Sequence, residues 1–253
     1  MIIKKKENVF IGRTGDNNPF TVKRIQIYQM NETEEQKQQR KRKENQIEKE
    51  REIQFQNELK ELQQMNKQIF KEYQQQIKQL EEWNNLQFKE IVFDSNCCNW
   101  SIYTSTFDKH LWNKDKIAIV IQNEDNILYG GFVYSTINTF EDYNEIINDY
   151  DGIIDSQSFL FTFKDNKPMK FEMNEIKKND KTFYLYNNEN PLLFKMGTSL
   201  NTEIFVGKNN IKSICCQEED SNYNFKGITK ALIGKISLDN KFNITRIIVL
   251  QFN

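Results

Sequence analysis

From Asn31 to Glu90 the chain runs sixty residues without a glycine or a proline, and 14 of them are glutamine. A stretch with neither helix breaker and so many helix formers is expected to form one long helical rod. At ~1.5 Å per residue it would reach about 90 Å. Asn31 or Thr33 can cap its start, with Glu34 and Glu35 suitably placed in the first turn. Between residues 34 and 52 the only apolar side chain is Ile47. A helix polar on every side survives through ion pairs or through a partner.

From Phe55 the pattern changes. Phe55, Leu59, Leu62, Asn66, Ile69, Tyr73, Gln76 and Leu80 recur at alternating steps of four and three. This is a heptad, with Leu59, Asn66, Tyr73 and Leu80 in one core column and Phe55, Leu62 and Ile69 in the other. Asn66 in a core column favours a parallel pair in fixed register, at a cost in stability. Two occupants fit this stripe: a second copy, giving a coiled-coil homodimer, or the chain's own globular part. The length of the rod, which must overhang a small head, favours the homodimer.

Residues 1–30 contain turn residues (Gly12, Gly15, Asp16, Pro19) and little apolar material, and are expected to be flexible. After Ile91 the grammar becomes that of strands. Apolar runs of about four to eight residues alternate with Asn, Asp, Gly and Lys clusters. They include Ile91–Phe93, Lys116–Ile121, Ile127–Tyr129, Ser158–Phe163, Met169–Met173, Thr182–Tyr186, Glu203–Val206, Ile211–Cys216, Ala231–Leu238 and Thr245–Phe252. Asp125-Asn126 reads as a hairpin turn, and Phe140–Tyr150 has helical spacing. Fourteen phenylalanines between Phe93 and Phe252 suffice for a sandwich core. The expected class is α+β: residues 31–90 a long helix, residues 91–253 a mainly-β sandwich with short flanking helices.

The charge balance excludes one class of partner. Net charge is −1 overall, but residues 1–30 carry +4 (six basic, two acidic) and residues 91–253 carry −4 (17 basic, 21 acidic). A head of that sign lacks the basic stripe that nucleic acid requires. No run approaches the ~18 apolar residues of a membrane span, and the start lacks an apolar signal core. A cytoplasmic chain is expected.

Residues that could carry chemistry are few. The four cysteines form two adjacent pairs, Cys97-Cys98 and Cys215-Cys216. Zinc sites space their ligands by two or more residues, and neighbours on a strand point to opposite faces. These pairs therefore read as reduced core thiols, with no metal site expected. The single histidine, His110, reads as a surface or strand-edge residue, and most Ser-His and Cys-His hydrolase schemes fall with it. No phosphate-cradling glycine loop is present. No catalytic, cofactor or metal residues are assigned. Gly130-Gly131, inside an apolar strand pattern, predicts a bulge or a close backbone approach.

Several segments, in order, resemble the TLDc domain. They are Tyr129-Gly130-Gly131-Phe132, Ser158-Phe159-Leu160-Phe161-Thr162-Phe163, and Lys195-Met196-Gly197-Thr198-Ser199-Leu200 leading into Glu203–Val206. Ile244–Leu250 looks like its final strand, and Ile91–Asn96 resembles versions attached to coiled coils in amoebae. The likeness covers about residues 91–252. It departs from the family at Lys195-Met196-Gly197, where a Phe-Gly turn is usual, and around Ser101–Trp112. The resemblance implies a β-sandwich flanked by short helices, an association with oxidation resistance and, in several members, binding to the vacuolar proton-pumping ATPase. It implies no catalytic constellation. Its structural residues here are Gly130, Gly131, Phe132, Ser158, Phe159, Phe161 and Gly197.

The expected function is that of a non-enzymatic protein-interaction module. Its rivals are a thiol-based redox protein using Cys97, Cys98, Cys215 or Cys216, and a structural coiled-coil protein with the head as a cap.

Overall fold

The computed structural model describes residues 33–138, 152–177, 179–197, 202–215, 221–228, 231–232 and 241–253. The chain divides into two compact units between Glu48 and Lys49. Helix α1 (Glu34–Glu72) starts in the first unit, directly after Thr33. The Thr33 hydroxyl accepts the Gln36 N–H at 3.2 Å, and the Gln36 side chain accepts the Thr33 N–H at 2.9 Å. This reciprocal box satisfies two of the free donors at a helix start. Ion pairs Lys37–Glu34 (2.8 Å) and Arg40–Glu44 (3.5 Å) follow along its surface.

Among the described residues, the second unit contains the rest of α1, helices α2 (Gln74–Asn84) and α3 (Phe107–Leu111), and twelve strands in two antiparallel sheets. The strands are β1 (Phe88–Asp94), β2 (Ile117–Asn123), β3 (Leu128–Val133), β4 (Ile153–Ile154), β5 (Phe159–Thr162), β6 (Met169–Glu172), β7 (Lys181–Leu185), β8 (Leu192–Gly197), β9 (Thr202–Gly207), β10 (Ser213–Cys215), β11 (Lys241–Phe242) and β12 (Ile244–Phe252). The first sheet runs β1-β12-β2-β3-β5-β6, the second β11-β10-β9-β8-β7-β4. The α+β class holds, with a sandwich-like pair of sheets.

Alternation along the strands decides what each face of the first sheet meets. Leu160 of β5 lies beside Gly131 of β3, whose own Cα faces Met196 of β8 in the other sheet. Phe107 of α3 stacks on Phe194 of β8 at 5.6 Å and meets Phe93 of β1 edge-on at 4.9 Å. That face is the interior of the sandwich. The opposite face carries Phe132, Phe159, Phe161 and Phe252, with Phe132 stacked on Phe159 at 5.3 Å. Such a surface must be covered. Trp83 of α2 covers it, 5.9–6.4 Å from Phe159, Phe161 and Phe163. Leu62, Ile69, Tyr73, Ile77 and Leu80 join the same hydrophobic core as the strands.

This corrects the coiled-coil core. Leu62, Ile69, Tyr73 and Leu80 are buried against the chain's own sheet, and Phe55 and Leu59 are half-buried beside α3 and a cavity. Asn66 lines that cavity as well. The stripe packs within the chain, in the same hydrophobic core as the aromatic strands of the first sheet.

The rod is also shorter than expected. Tyr73 leaves helical geometry (φ −103°, ψ 18°), and α2 ends at Asn85, which adopts the left-handed conformation (φ 55°, ψ 38°). Its N–H reaches Glu81 O at 2.8 Å. Asparagine thus does the work that glycine usually does at a helix end. β1 then starts at Phe88, three residues before the expected head, because Phe88 pairs with Phe252 and packs on it at 6.2 Å.

Strands β4, β8 and β11 were not anticipated. The run expected from Ile211 pairs only from Ser213. The helix expected over Phe140–Tyr150 lies outside the described residues, as do residues 1–32, and of Ala231–Leu238 only Ala231 and Leu232 are described, in a turn. The hairpin turn at Asp125-Asn126 is present: Asn126 has φ 60°, and the Asn123 side chain accepts the Asp125 and Ile127 N–H groups at 3.0 and 2.9 Å.

The two glycines of β3 differ in kind. β2 and β3 pair without a register shift, so no bulge is present. A Cβ on Gly130 would lie 1.8 Å from Ile119 O, a backbone atom. On Gly131 it would meet the flexible end of Met196 at 2.2 Å. Close backbone approach is therefore the requirement at Gly130. Gly197 has φ 111° and sits at an irregularity between β8 and β9, where a side chain would be strained.

Candidate functional site

The most concentrated chemistry lies where α1, the turn after β1 and α3 meet. The turn is made by Asp94. Its carbonyl accepts Cys97 N and Cys98 N at 3.0 and 2.8 Å, and its carboxylate accepts Asn96 N at 3.0 Å. That wrapping sets Cys98 into the interior and leaves Cys97 half-buried, with their sulfurs 3.8 Å apart. The Asp94 carboxylate is held in turn by Arg246 of β12, at 3.0 Å to Nε and 2.6 Å to Nη2. Arg246 also reaches Glu72 at 2.7 Å and stands over the Tyr73 ring. Burial pushes the Tyr73 phenol up to about 12, and Arg246 opposes part of that rise.

Helix α1 contributes two buried charges one heptad apart. Arg51 donates to Ser105 O at 2.7 Å and to Asp108 at 2.7 Å. Glu58 accepts the Asn99 N–H on Oε1 at 3.0 Å, and on Oε2 the Thr106 hydroxyl at 2.5 Å and His110 Nε2 at 2.9 Å. Both lie on the face of Leu62 and Ile69, so the apolar stripe continues toward the N-terminus as a polar one. His110 is 2% exposed, packed edge-on against Phe55 and Phe93 at 4.7 and 5.4 Å. The surface or strand-edge reading of His110 is thereby corrected: it sits on the buried face of a short helix. Among the described residues it hydrogen-bonds Glu58 and no serine or cysteine. Its Nδ1 has no partner.

Cys98, His110 and Glu58 each bring one ligating atom within 4.8 Å of the others. A hydrogen bond with Cys97, and burial after it, push the Cys98 thiol up. That is opposite to what a reactive thiolate needs. Cys215 is buried, while Cys216 lies outside the described residues. A cavity of 280 Å³ adjoins His110 and is lined also by Leu59, Asn66, Val92 and Trp112. The Asn66 side-chain oxygen is buried there without a partner.

Of the residues that carry the family resemblance, Phe132, Phe159 and Phe161 form the outer aromatic face of the first sheet. Ser158 is buried against the Tyr223 hydroxyl at 3.1 Å. None of these is hydrogen-bonded to the Glu58 cluster. Glu58 and Arg51 escaped the sequence reading because charged residues in a charged helix look solvated. The only signal was the seven-residue spacing from Arg51 to Glu58 and from Glu58 to Met65.

Among the described residues, no helix is long and apolar enough to cross a membrane. No family model matches the chain, and no curated protein matches it significantly.

Proposed function

We propose that this chain is a non-enzymatic protein-interaction module of the TLDc type, acting in the cytoplasm. The observation that carries the reading is the first turns of α1. Every residue from Thr33 to Glu50 is exposed, yet the segment is helical. A helix polar on all sides is at home against a partner that reads charge and glutamine. Of the segments that carry the resemblance, Ile91–Asp94 falls on β1, Tyr129–Phe132 on β3, Phe159–Thr162 on β5, Lys195–Gly197 on β8, Glu203–Val206 on β9 and Ile244–Leu250 on β12. The vacuolar proton-pumping ATPase is the partner that the resemblance nominates.

The test uses the full-length chain, immobilised and offered purified subunits of that ATPase. One subunit should bind, and reversing the charges of Arg40, Lys41, Arg42 and Lys43 should weaken binding at least tenfold. If no subunit is retained by the unaltered chain, this partner is wrong. If the reversed chain binds equally well, the exposed helix is not the contact.

A further inference from the structure

We propose that Glu58, Cys98 and His110 form a binding site for a soft divalent transition-metal ion, Zn²⁺ by its chemistry. One sulfur, one imidazole nitrogen and one carboxylate oxygen gather within 4.8 Å of one another, and all three residues are buried. In a tetrahedral zinc site, ligand atoms lie ~3.3–3.8 Å apart, so closing the cluster takes shifts of about 1 Å. The mixed donor set favours Zn²⁺ over Mg²⁺ or Ca²⁺, which take oxygen ligands.

The ligating nitrogen is Nε2, the ring atom that faces Glu58 Oε2 at 2.9 Å. On binding, the ion takes the place of that hydrogen bond and the imidazole proton moves to Nδ1, which has no partner of its own among the described residues. The supporting contacts of a metal site are already in place: Thr106 Oγ1 and Asn99 N hold the Glu58 carboxylate. The cavity that exposed Gln63 also lines reaches the site at His110 alone; Glu58 and Cys98 do not line it. On binding, Cys98 releases its thiol proton to solvent and ligates as thiolate. The fourth position falls to water or to Cys97, whose sulfur is 3.8 Å from that of Cys98. Two thiolates on one tetrahedral zinc ion have about that separation. The site stands independently of the partner proposed above.

The experiment is a Co²⁺ titration of the full-length, reduced, chelator-treated chain, read by absorption. The expected result is a thiolate-to-cobalt charge-transfer band with ligand-field bands of four-coordinate intensity. These should saturate at one ion per chain and be displaced by Zn²⁺. Cys98→Ser should abolish the charge-transfer band, His110→Gln and Glu58→Gln should weaken binding at least tenfold, and Cys215→Ser should change nothing. Circular dichroism reports whether each variant remains folded. Absence of the band in the unaltered chain overturns the proposal without reference to any variant. A band undiminished in folded Cys98→Ser overturns it equally, since the ion would then be adventitious.

Discussion

Arg51 Nη2 lies 2.7 Å from Oδ1 and 3.0 Å from Oδ2 of Asp108, and both side chains are buried. The pair joins α1 to α3, and the same guanidinium also holds Ser105 O. Together with Glu58 and Arg246 it ties the part of α1 from Lys49 onward to the strands and to α3 within the second unit.

Removing one member of a buried charge pair leaves the other without compensation. Arg51→Ala should lower the unfolding free energy by about 3 kcal/mol. Arg51→Met combined with Asp108→Leu should recover much of that loss, because neither charge is then stranded. Urea unfolding of the three chains checks this. A loss of under ~1 kcal/mol for the single variant would mean that the pair is solvated and contributes no more than a surface bridge.

The apolar stripe of α1 and α2 makes a second prediction. Ile77 and Leu80 are fully buried in the core shared with the first sheet. Ile77→Ala and Leu80→Ala should each cost ~2–5 kcal/mol, while sedimentation of the folded variants stays unchanged. Asn66→Ile, which a dimer seam would reward with tighter association, should leave the association state as it was. Stronger self-association in that variant would restore the seam.

Gly130→Ala should destabilise more than Gly131→Ala. At Gly130 the new methyl meets the Ile119 carbonyl, which the β-ladder holds in place; at Gly131 it meets the mobile thioether end of Met196. The comparison is a thermal melt of each variant. Equal shifts would place the tight approach elsewhere in β3.

Lys208 should give the stability a rise on the alkaline side. Its ammonium is buried against Ile102 O and Asn188 O. Burial lowers it from 10.5 to about 8, with Asp108 opposing part of that fall. Below about 8 both folded and unfolded chains carry the charge, and the full cost of burying it is present. Between about 8 and 10.5 the folded chain loses the proton while the unfolded chain keeps it, so stability rises with pH. Unfolding of the unaltered chain and of Lys208→Met, compared across that interval, should show the gain only in the former. Parallel pH profiles would remove Lys208 as the cause.

The class of fold was legible because its signals are local. A breaker-free polar run declares helix, and short apolar runs between Asn and Gly clusters declare strands. β8 was missed as a strand although its Lys195-Met196-Gly197 was noticed, because the lysine interrupts the apolar run. In the fold that lysine is buried with its ammonium over the Tyr184 ring at 3.8 Å. β11 is only two residues long and has no pattern to detect. The Glu58, Cys98 and His110 cluster was not legible at all: 40 residues separate the first two and 12 the last two, and each alone has an ordinary explanation.

Periodicity along the chain was enough to establish that a polar helix precedes an aromatic β body, and that the helix bears one apolar stripe. What it could not decide was the stripe's occupant, since a heptad specifies the shape of a face and not the identity of what covers it. The tertiary structure decided that, because the sheet turned an aromatic surface outward and the helix was the nearest apolar cover. The same docking drew Arg51 and Glu58 out of water, and only there did their charges acquire partners.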